Sequence, residues 1–546
     1  MLQKYAGLSL RETFIRSIMN CKINNNNVFS MAEIIYLLYF SVMTLAKGFG
    51  LYDGMCPYTL SLFAGAILII TKLVLTEHTI AEWIYILSLI TLGIIIFYNS
   101  SQTGALIYIT MIIGLKNVSL KRLFPLALFL WSSTFILQSL LTMTGLKNDI
   151  FVIHEKLGLG HLIRWSLGQP HPNVLQITFL IICAMILYLA NLKGKKLIFT
   201  TFIMFLANLY IFFYSISYTG LILVIFYLFT NLYLSLRSNL CSAEKLAANL
   251  VFPGCIAFAL LGPVYFPQPL WNICNKLLNT RFNIAKVHLT LDPIPLLGSR
   301  PSHTITQGLH NIDSSYVFAL MRYGIILFSL MCIAYTAYIY HCTKEKKYNE
   351  LAITLGLSVA AIAEPFFVNP SFKNISLLFV GEFIFIKLEK FCRNKPDSLL
   401  SKKILLCSWG KKEIYLPIDS LKNCLSNYGK FIHKKQKLLL GTFLCFGILM
   451  GSVFAVTADI PKRYYALRTS TQMETKDHIL LDMENLPDDF EGSKVLNYKD
   501  ATTPMQMFEG NICTVEYIRG IISSGLWGGA FITLLISVIL LIKYKV

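Results

Sequence analysis

Apolar runs long enough to cross a lipid bilayer recur along most of this 546-residue chain, and nothing else in it constrains the fold so strongly. A crossing helix needs roughly 20 such residues, since each adds about 1.5 Å against a hydrocarbon core about 30 Å thick. Runs of that order occupy residues 33–50, 58–75, 81–98, 103–115, 123–144, 172–191, 197–214, 219–236, 246–263, 315–340, 351–368, 374–388, 438–458 and 526–542. Windowed hydropathy therefore gives about fourteen spans. Backbone that meets lipid must satisfy its own hydrogen bonds, and runs of this length do so as helices. The expected fold is all-α, a polytopic integral membrane protein with long extracytoplasmic loops. Composition agrees: 55% of residues are hydrophobic and 14% charged, against about 25% charged in a soluble domain.

The formal charge is +19, but the Lys and Arg residues lie in short clusters between apolar runs rather than in one stripe, which argues against a nucleic-acid partner. Placing the basic start (Lys4, Arg11, Arg16, Lys22) in the cytoplasm makes every second loop basic: Lys72; Lys116, Lys121 and Arg122; Lys193, Lys195 and Lys196; Arg237 and Lys245; Lys344, Lys346 and Lys347; residues 390–437; Lys543 and Lys545. The alternation predicts a multi-pass protein of the cytoplasmic membrane with both termini inside. No small-residue cleavage site follows the basic start, so the first run reads as a span and not as a signal peptide. Residues 145–171, 215–217, 264–314, 369–373 and 459–525 then face outward, and the long loops among them mark the working face. The expected organisation is a core over 1–390 with the 264–314 loop above the site, a basic cytoplasmic segment over 391–437 lying on membrane lipids, and a C-terminal helix pair over 438–546 with an acid-rich loop over 459–525. Thirteen cysteines, several inside apolar runs and none in Cys-x-x-Cys or Cys/His spacing, argue against a disulfide framework and against a bound metal.

Three clusters carry candidate chemistry. Gly168-Gln169-Pro170-His171-Pro172-Asn173 precedes the sixth run; Pro172 suits a first helical turn whose unpaired N–H groups and positive dipole end can hold an anion. His171 and Asn173 add donors there, or serve as the helix cap. The second cluster comprises Arg281, Lys286 and His288, then Gly298-Ser299-Arg300, His303, and His310 to Tyr316 leading into a span that carries Arg322-Tyr323-Gly324. Arginines on an outward face oppose the positive-inside bias. Bidentate binding of phosphate would explain them, as would lipid headgroups or local acids such as Asp292. Glu364, just before Pro365, is the third: an ionisable group near the outer surface that either orients a sugar hydroxyl or pairs with one of the arginines.

Over residues 168–388 these pieces, in this order, resemble the Wzy-type polysaccharide polymerases of bacterial capsule, exopolysaccharide and O-antigen pathways, and more distantly the O-antigen ligases. The patches that carry the resemblance are Gln169-Pro170-His171-Pro172-Asn173, Asn279-Thr280-Arg281-Phe282 with Leu297-Gly298, Ile312-Asp313-Ser314-Ser315-Tyr316 with Tyr323-Gly324-Ile325-Ile326, and Glu364-Pro365 with Asn369. One position departs: where the family often has a Ser-Arg-Thr motif, this chain reads Ser217-Tyr218-Thr219-Gly220. Tyr218 donates a hydrogen bond but no charge, so Arg281, with Arg300 or Arg322, has more of the phosphate binding to do. The resemblance implies a metal-independent glycosyltransferase, without cofactor, that moves a growing glycan from undecaprenyl diphosphate onto the next lipid-linked repeat unit. It also implies a flippase and a chain-length regulator as partners. By analogy with the ligases' histidine, Asp313 is the first candidate base and His310 the second, with Glu364 beside them. Arg281, Arg300, Arg322, His171, Asn173, Tyr218 and Tyr316 are the candidate substrate contacts. A lipid-linked oligosaccharide flippase and a ligase using the same donor are the alternatives.

Overall fold

The computed structural model of the chain describes residues 28–155, 160–300, 312–416, 418–468, 480–481, 493–496, 502–508 and 510–544. They form two compact units: Met31–Asp149 with Ser166–Lys412, and Ile150–Trp165 with Glu413–Val546 and the chain up to Ser30.

The larger unit is helical: α1 (Met31–Gly48), α2 (Cys56–Leu75), α3 (Ile80–Ser100), α4 (Gly104–Ile113), α5 (Leu120–Met143), α6 (Pro172–Ala190), α7 (Gly194–Ser215), α8 (Tyr218–Leu236), α9 (Ser242–Tyr265), α10 (Gln268–Leu277), α11 (Arg281–Leu291), α12 (Ser315–Phe318), a π-helical turn (Ala319–Tyr323), α13 (Gly324–Glu345), α14 (Tyr348–Ala360) and α15 (Ser376–Asn394). The smaller unit contains α16 (Ile418–Thr457) and α17 (Asn511–Tyr544). Among the described residues eleven helices are long and apolar enough to cross a membrane, counting α12, the π turn and α13 as one. This is a mostly helical, multi-pass membrane architecture.

Three of the fourteen expected spans fall short of that length or apolarity. Run 103–115 folds as the 10-residue α4, and run 351–368 as the 13-residue α14 followed by a break. Run 374–388 becomes α15, which carries Glu382, Lys387, Glu389, Lys390 and Arg393. For α14 the reason is burial. α14 is enclosed nearly all round, from Leu351 to Ser358, and hydropathy alone does not separate a helix wrapped by protein from one wrapped by lipid.

The break after α14 shows how irregular backbone is kept at this depth. The Glu364 carbonyl accepts from Ser315 Oγ at 2.6 Å, Phe366 from Tyr108 OH at 2.7 Å, Phe367 from Asn374 Nδ2 at 2.9 Å and Val368 from Tyr323 OH at 2.6 Å. Buried carbonyls left without donors would each cost about 1–3 kcal/mol. Aromatic packing secures the same region: Phe124 stacks on Phe379 at 4.9 Å and Phe252 on Tyr335 at 5.3 Å.

Charges at the opposite ends of α1–α3 are paired in the same economical way. Glu33 accepts from Arg122 at 2.6 Å and from the Ser119 N–H at 3.1 Å, while Lys72 donates to the Lys116 carbonyl at 2.8 Å. Strand His78–Thr79 pairs with Lys403–Ile404 there. Glu77 bonds Lys411 and Lys403, which hold its carboxyl down at about 2.

In the smaller unit α16 and α17 pack backbone to backbone. A Cβ placed on Gly525 would lie 2.9 Å from the Gly447 carbonyl oxygen, and one on Gly529 would lie 2.7 Å from that of Phe443. Small residues permitting such approach are a recurrent means of joining helices in lipid. The hairpin Phe151–Glu155/His161–Trp165, expected as a plain loop of the core, groups with this unit: Trp165 Nε1 donates to Glu516 at 2.8 Å and Arg519 to the Ile163 carbonyl at 3.0 Å. Strands Tyr464–Arg468, Leu480–Leu481, Lys494–Leu496 and Thr502–Phe508 form a small mixed sheet. A few short strands arise in these stretches of a chain that is otherwise mostly helical, consistent with the all-α expectation.

Gly324 tests the packing. It has φ +87°, and an added Cβ would meet the Leu296 carbonyl oxygen at 2.5 Å and the Gly298 nitrogen at 2.6 Å. Gly324→Ala should cost about 2–4 kcal/mol. The check is the thermal midpoint in detergent: a value within a degree of the wild type would contradict this close approach.

Candidate functional site

Local rules are broken together at one place, the start of α11. Asn279 and Thr280 both have left-handed backbone, φ 52° and 67°. A β-branched residue rarely holds that conformation, and each such strained residue costs on the order of 1–3 kcal/mol. Arg281 then occupies the first helical position, where the positive end of the helix dipole disfavours a cation. Such a sequence–structure conflict has to be offset by something else, and functional sites are where it is usually found.

What offsets it is a buried, branched ion pair. Arg281 Nε donates to Asp313 Oδ2 at 3.0 Å and Nη2 donates to Glu364 Oε1 at 2.9 Å. Among the described residues the third edge, Nη1, reaches only Thr219 Oγ1, at 3.4 Å. Arg281 and Glu364 are almost wholly buried, whereas the Asp313 side chain keeps 38% of its surface exposed. Burial works against the guanidinium charge, but Glu364 and Asp313 outweigh it and hold Arg281 above its ordinary range.

Other expected patches converge on this pair. His171 caps α6, its Nδ1 accepting from the Asn173 N–H at 3.1 Å, and Asn173 Oδ1 accepts from Ser217 Oγ at 3.1 Å. Ser217 leads into Tyr218 and Thr219, so the Gln169–Asn173 patch, the Ser217–Gly220 patch, Arg281, Asp313 and Glu364 form one connected cluster. The Tyr218 ring packs on Phe212 at 5.0 Å. Asp149 sets the approach to His171, accepting from Ser166 Oγ (2.8 Å), the Leu167 and Gly168 N–H groups (3.1 and 2.9 Å) and Tyr214 OH (3.0 Å).

Three candidates lie apart from Arg281. Tyr316 is wholly buried and its hydroxyl is spent on the Ser358 carbonyl at 2.7 Å, which makes it a core residue rather than a ligand contact. Arg322 lies buried in the π turn within electrostatic reach of Asp292, whose carboxylate also meets His288 Nδ1 at 3.3 Å. Arg300 is exposed, at the end of a segment fastened to the π turn by Ser299 Oγ donating to the Met321 carbonyl at 3.1 Å. His310 lies outside the described residues, as does His303.

Two features were not singled out in the sequence. Thr219, the weak third partner of Arg281, carries no distinguishing signal. Lys373 does: it is buried, and its ammonium lies 5.5 Å from the centroid of the Trp131 ring. A lysine in a loop expected outward violates the positive-inside bias as the arginines do.

An apolar groove of about 670 Å³ runs between α3, α4, α13 and α15, lined by residues such as Tyr108, Ile112, Leu327, Met331 and Phe383. Phe367, Val368, Lys387 and Phe391 also line it. No group of side chains suited to hold a metal ion occurs among the described residues.

No known protein family, no curated protein and no solved structure matches this chain.

The burial difference between the two acids fixes an order of stability. Glu364→Gln breaks a buried pair and should cost about 3 kcal/mol. Asp313→Asn, at a partly exposed pair, should cost about 1 kcal/mol or less. Chemical denaturation of both variants measures this; equal losses would mean that Asp313 is as deeply enclosed as Glu364.

Proposed function

We propose that the chain is a glycosyltransferase that polymerises oligosaccharide units carried on a polyprenyl diphosphate, at the outer face of the cytoplasmic membrane. The observation that carries this reading is the Arg281 cluster, a buried guanidinium joined to two carboxylates contributed by distant stretches of chain. The apolar groove that Phe367 and Val368 help to line supports it, since its lining suits a long hydrocarbon chain.

The chemistry asked of the residues is modest. A hydroxyl oxygen of the acceptor sugar attacks the anomeric carbon of the donor glycan as the bond from that carbon to the diphosphate oxygen breaks. The leaving diphosphate carries away the bonding electrons, and a cation held in a low-dielectric site stabilises that charge far better than water-exposed cations do. Arg281 is that cation, and its Nη1 edge, engaged among the described residues only at 3.4 Å by Thr219, is the side from which a phosphoryl oxygen approaches. The hydroxyl proton passes to Asp313. Its Oδ2 accepts from Arg281, and the rest of the carboxylate is the most accessible base of the cluster. Glu364 holds the guanidinium in place from the buried side. His171 and Asn173, linked through Ser217, border the acceptor side.

Two measurements test the reading. Expressed in cells lacking their own polymerase, the wild-type chain should build long glycan, while Arg281→Ala should leave single repeat units on the lipid. Undiminished polymer from that variant removes Arg281 from the mechanism. Chain growth by purified protein in detergent, where a membrane has no second side, separates polymerisation from flipping, and product length separates it from ligation.

A further inference from the structure

The ends of α6, α8 and α13 and the start of α14 meet around a polar pocket of about 260 Å³, whose lining includes Asn191, Lys193, Arg237, Lys346 and Glu350. It lies at the far ends of helices that also build the Arg281 cluster. α6 starts beside Asn173 and α8 beside Thr219, and each is 19 residues long. About 28 Å therefore separates the two ends of each helix, close to the thickness of a hydrocarbon core. α14 likewise begins at the pocket and ends just before Glu364. Side-chain bonds between separate loops set the walls. Asn349, in the first turn of α14, donates from Nδ2 to Asn191 Oδ1 at 2.9 Å and accepts from Ser235 Oγ at 3.1 Å.

What these walls present is donors. Lys193, Arg237, Lys346 and Lys347 line the pocket against a single acid, Glu350. Glu350 is already engaged, accepting from Tyr338 OH at 2.5 Å and from Lys347 at 3.3 Å. Arg237 is paired with Glu244 at 3.0 Å. Lys193 and Lys346 have no hydrogen-bond or ion-pair partner among the described residues. The Tyr348 hydroxyl accepts from the Leu240 N–H at 3.2 Å, and among the described residues its own proton is unspent. Basic residues at helix C-termini often serve only to balance the dipole, and three helices end here while one begins. At about half a charge per end the balance amounts to about one negative charge, half of what the two unmatched lysines carry.

We propose that this pocket is a second anion site, which takes a phosphoryl group between Lys193, Lys346 and the Tyr348 hydroxyl, at the membrane face opposite the Arg281 cluster. Ammonium groups and a phenol supply donors to phosphoryl oxygens without an acceptor to repel them. A position at the end of membrane-length helices is the level of lipid headgroups. A lipid headgroup and a free phosphate ester share this chemistry and differ in the chains attached. The occupant would draw together the ends of α6 and α13, whose loops carry the two lysines. The site stands independently of the glycosyl-transfer reading, because none of its residues belongs to the Arg281 cluster.

The test uses the full chain, stripped of lipid in a neutral detergent, with phosphatidic acid and phosphatidylcholine of identical acyl chains as probes and native mass spectrometry as the readout. Phosphatidic acid should bind the more tightly. Each cation near an anionic headgroup contributes roughly fivefold in affinity, so the double variant Lys193→Gln/Lys346→Gln should bind phosphatidic acid about 25-fold more weakly. The control is Lys195→Gln/Lys196→Gln, which removes two exposed charges from the same loop but outside the pocket lining. Solvent screening should hold its loss to about twofold. All four lysines are exposed, so both variants should keep the wild-type thermal midpoint. Displacement of phosphatidic acid by excess glycerol 3-phosphate supports the site with a free phosphate ester as occupant, and resistance to displacement supports it with a lipid headgroup. Equal losses in the two double variants would mean a diffuse basic belt and overturn the inference. Equal affinity of the wild-type chain for the two lipids would overturn it as well.

Discussion

A guanidinium buried in a protein of this kind must be matched by acids, and matching Arg281 ties three distant parts of the chain together. The start of α11 accepts two left-handed residues so that the side chain reaches inward. Asp313 comes from the stretch that leads into α12, and Glu364 from the break after α14. Leaving out Glu364 would leave the buried guanidinium with only the partly exposed Asp313, so the geometry of the three segments is tied to one cation. The break in turn requires the hydroxyls of Ser315, Tyr108 and Tyr323, which is how the demand of a single charge spreads into the packing of α4, α12 and the π turn.

Much of this was legible in the residues. The apolar runs located the helices, since only their length and hydropathy were needed, and the eleven that meet the criterion for a span all coincide with expected runs. Run 351–368 became a short enclosed helix because enclosure by protein and enclosure by lipid select the same residue types, whereas run 374–388 continues into the charged end of α15. Position against the expected charge bias picked out Arg281, and pairing with an arginine was one of two readings open for Glu364. Which of three arginines would join the acids was not readable. Arg300 and Arg322 have the same chemistry, and only the strained turn before Arg281 brings its side chain to Asp313. Tyr316 failed for a similar reason: a motif fixes that a tyrosine is present, but its hydroxyl points to Ser358.

Lys373 illustrates a different limit. The bias that drew attention to the arginines applied equally to it, yet the neighbouring Asn369-Pro370-Ser371 reads as an ordinary surface turn. Its burial depends on Phe372 reaching across to α1, a contact between residues more than three hundred positions apart. No local pattern encodes such a contact.

The backbone after α14 is solvated by phenols, a serine and an asparagine. Water exchanges partners in picoseconds, whereas three of these donors, Tyr108, Ser315 and Tyr323, are fixed in helices, so the segment is a cast rather than a hinge. Acidic and basic groups set in it stay where they are. Any molecule that uses them has to be carried to a stationary constellation, and discrimination between molecules would then rest on how well they match its shape and not on how far the protein bends to meet them.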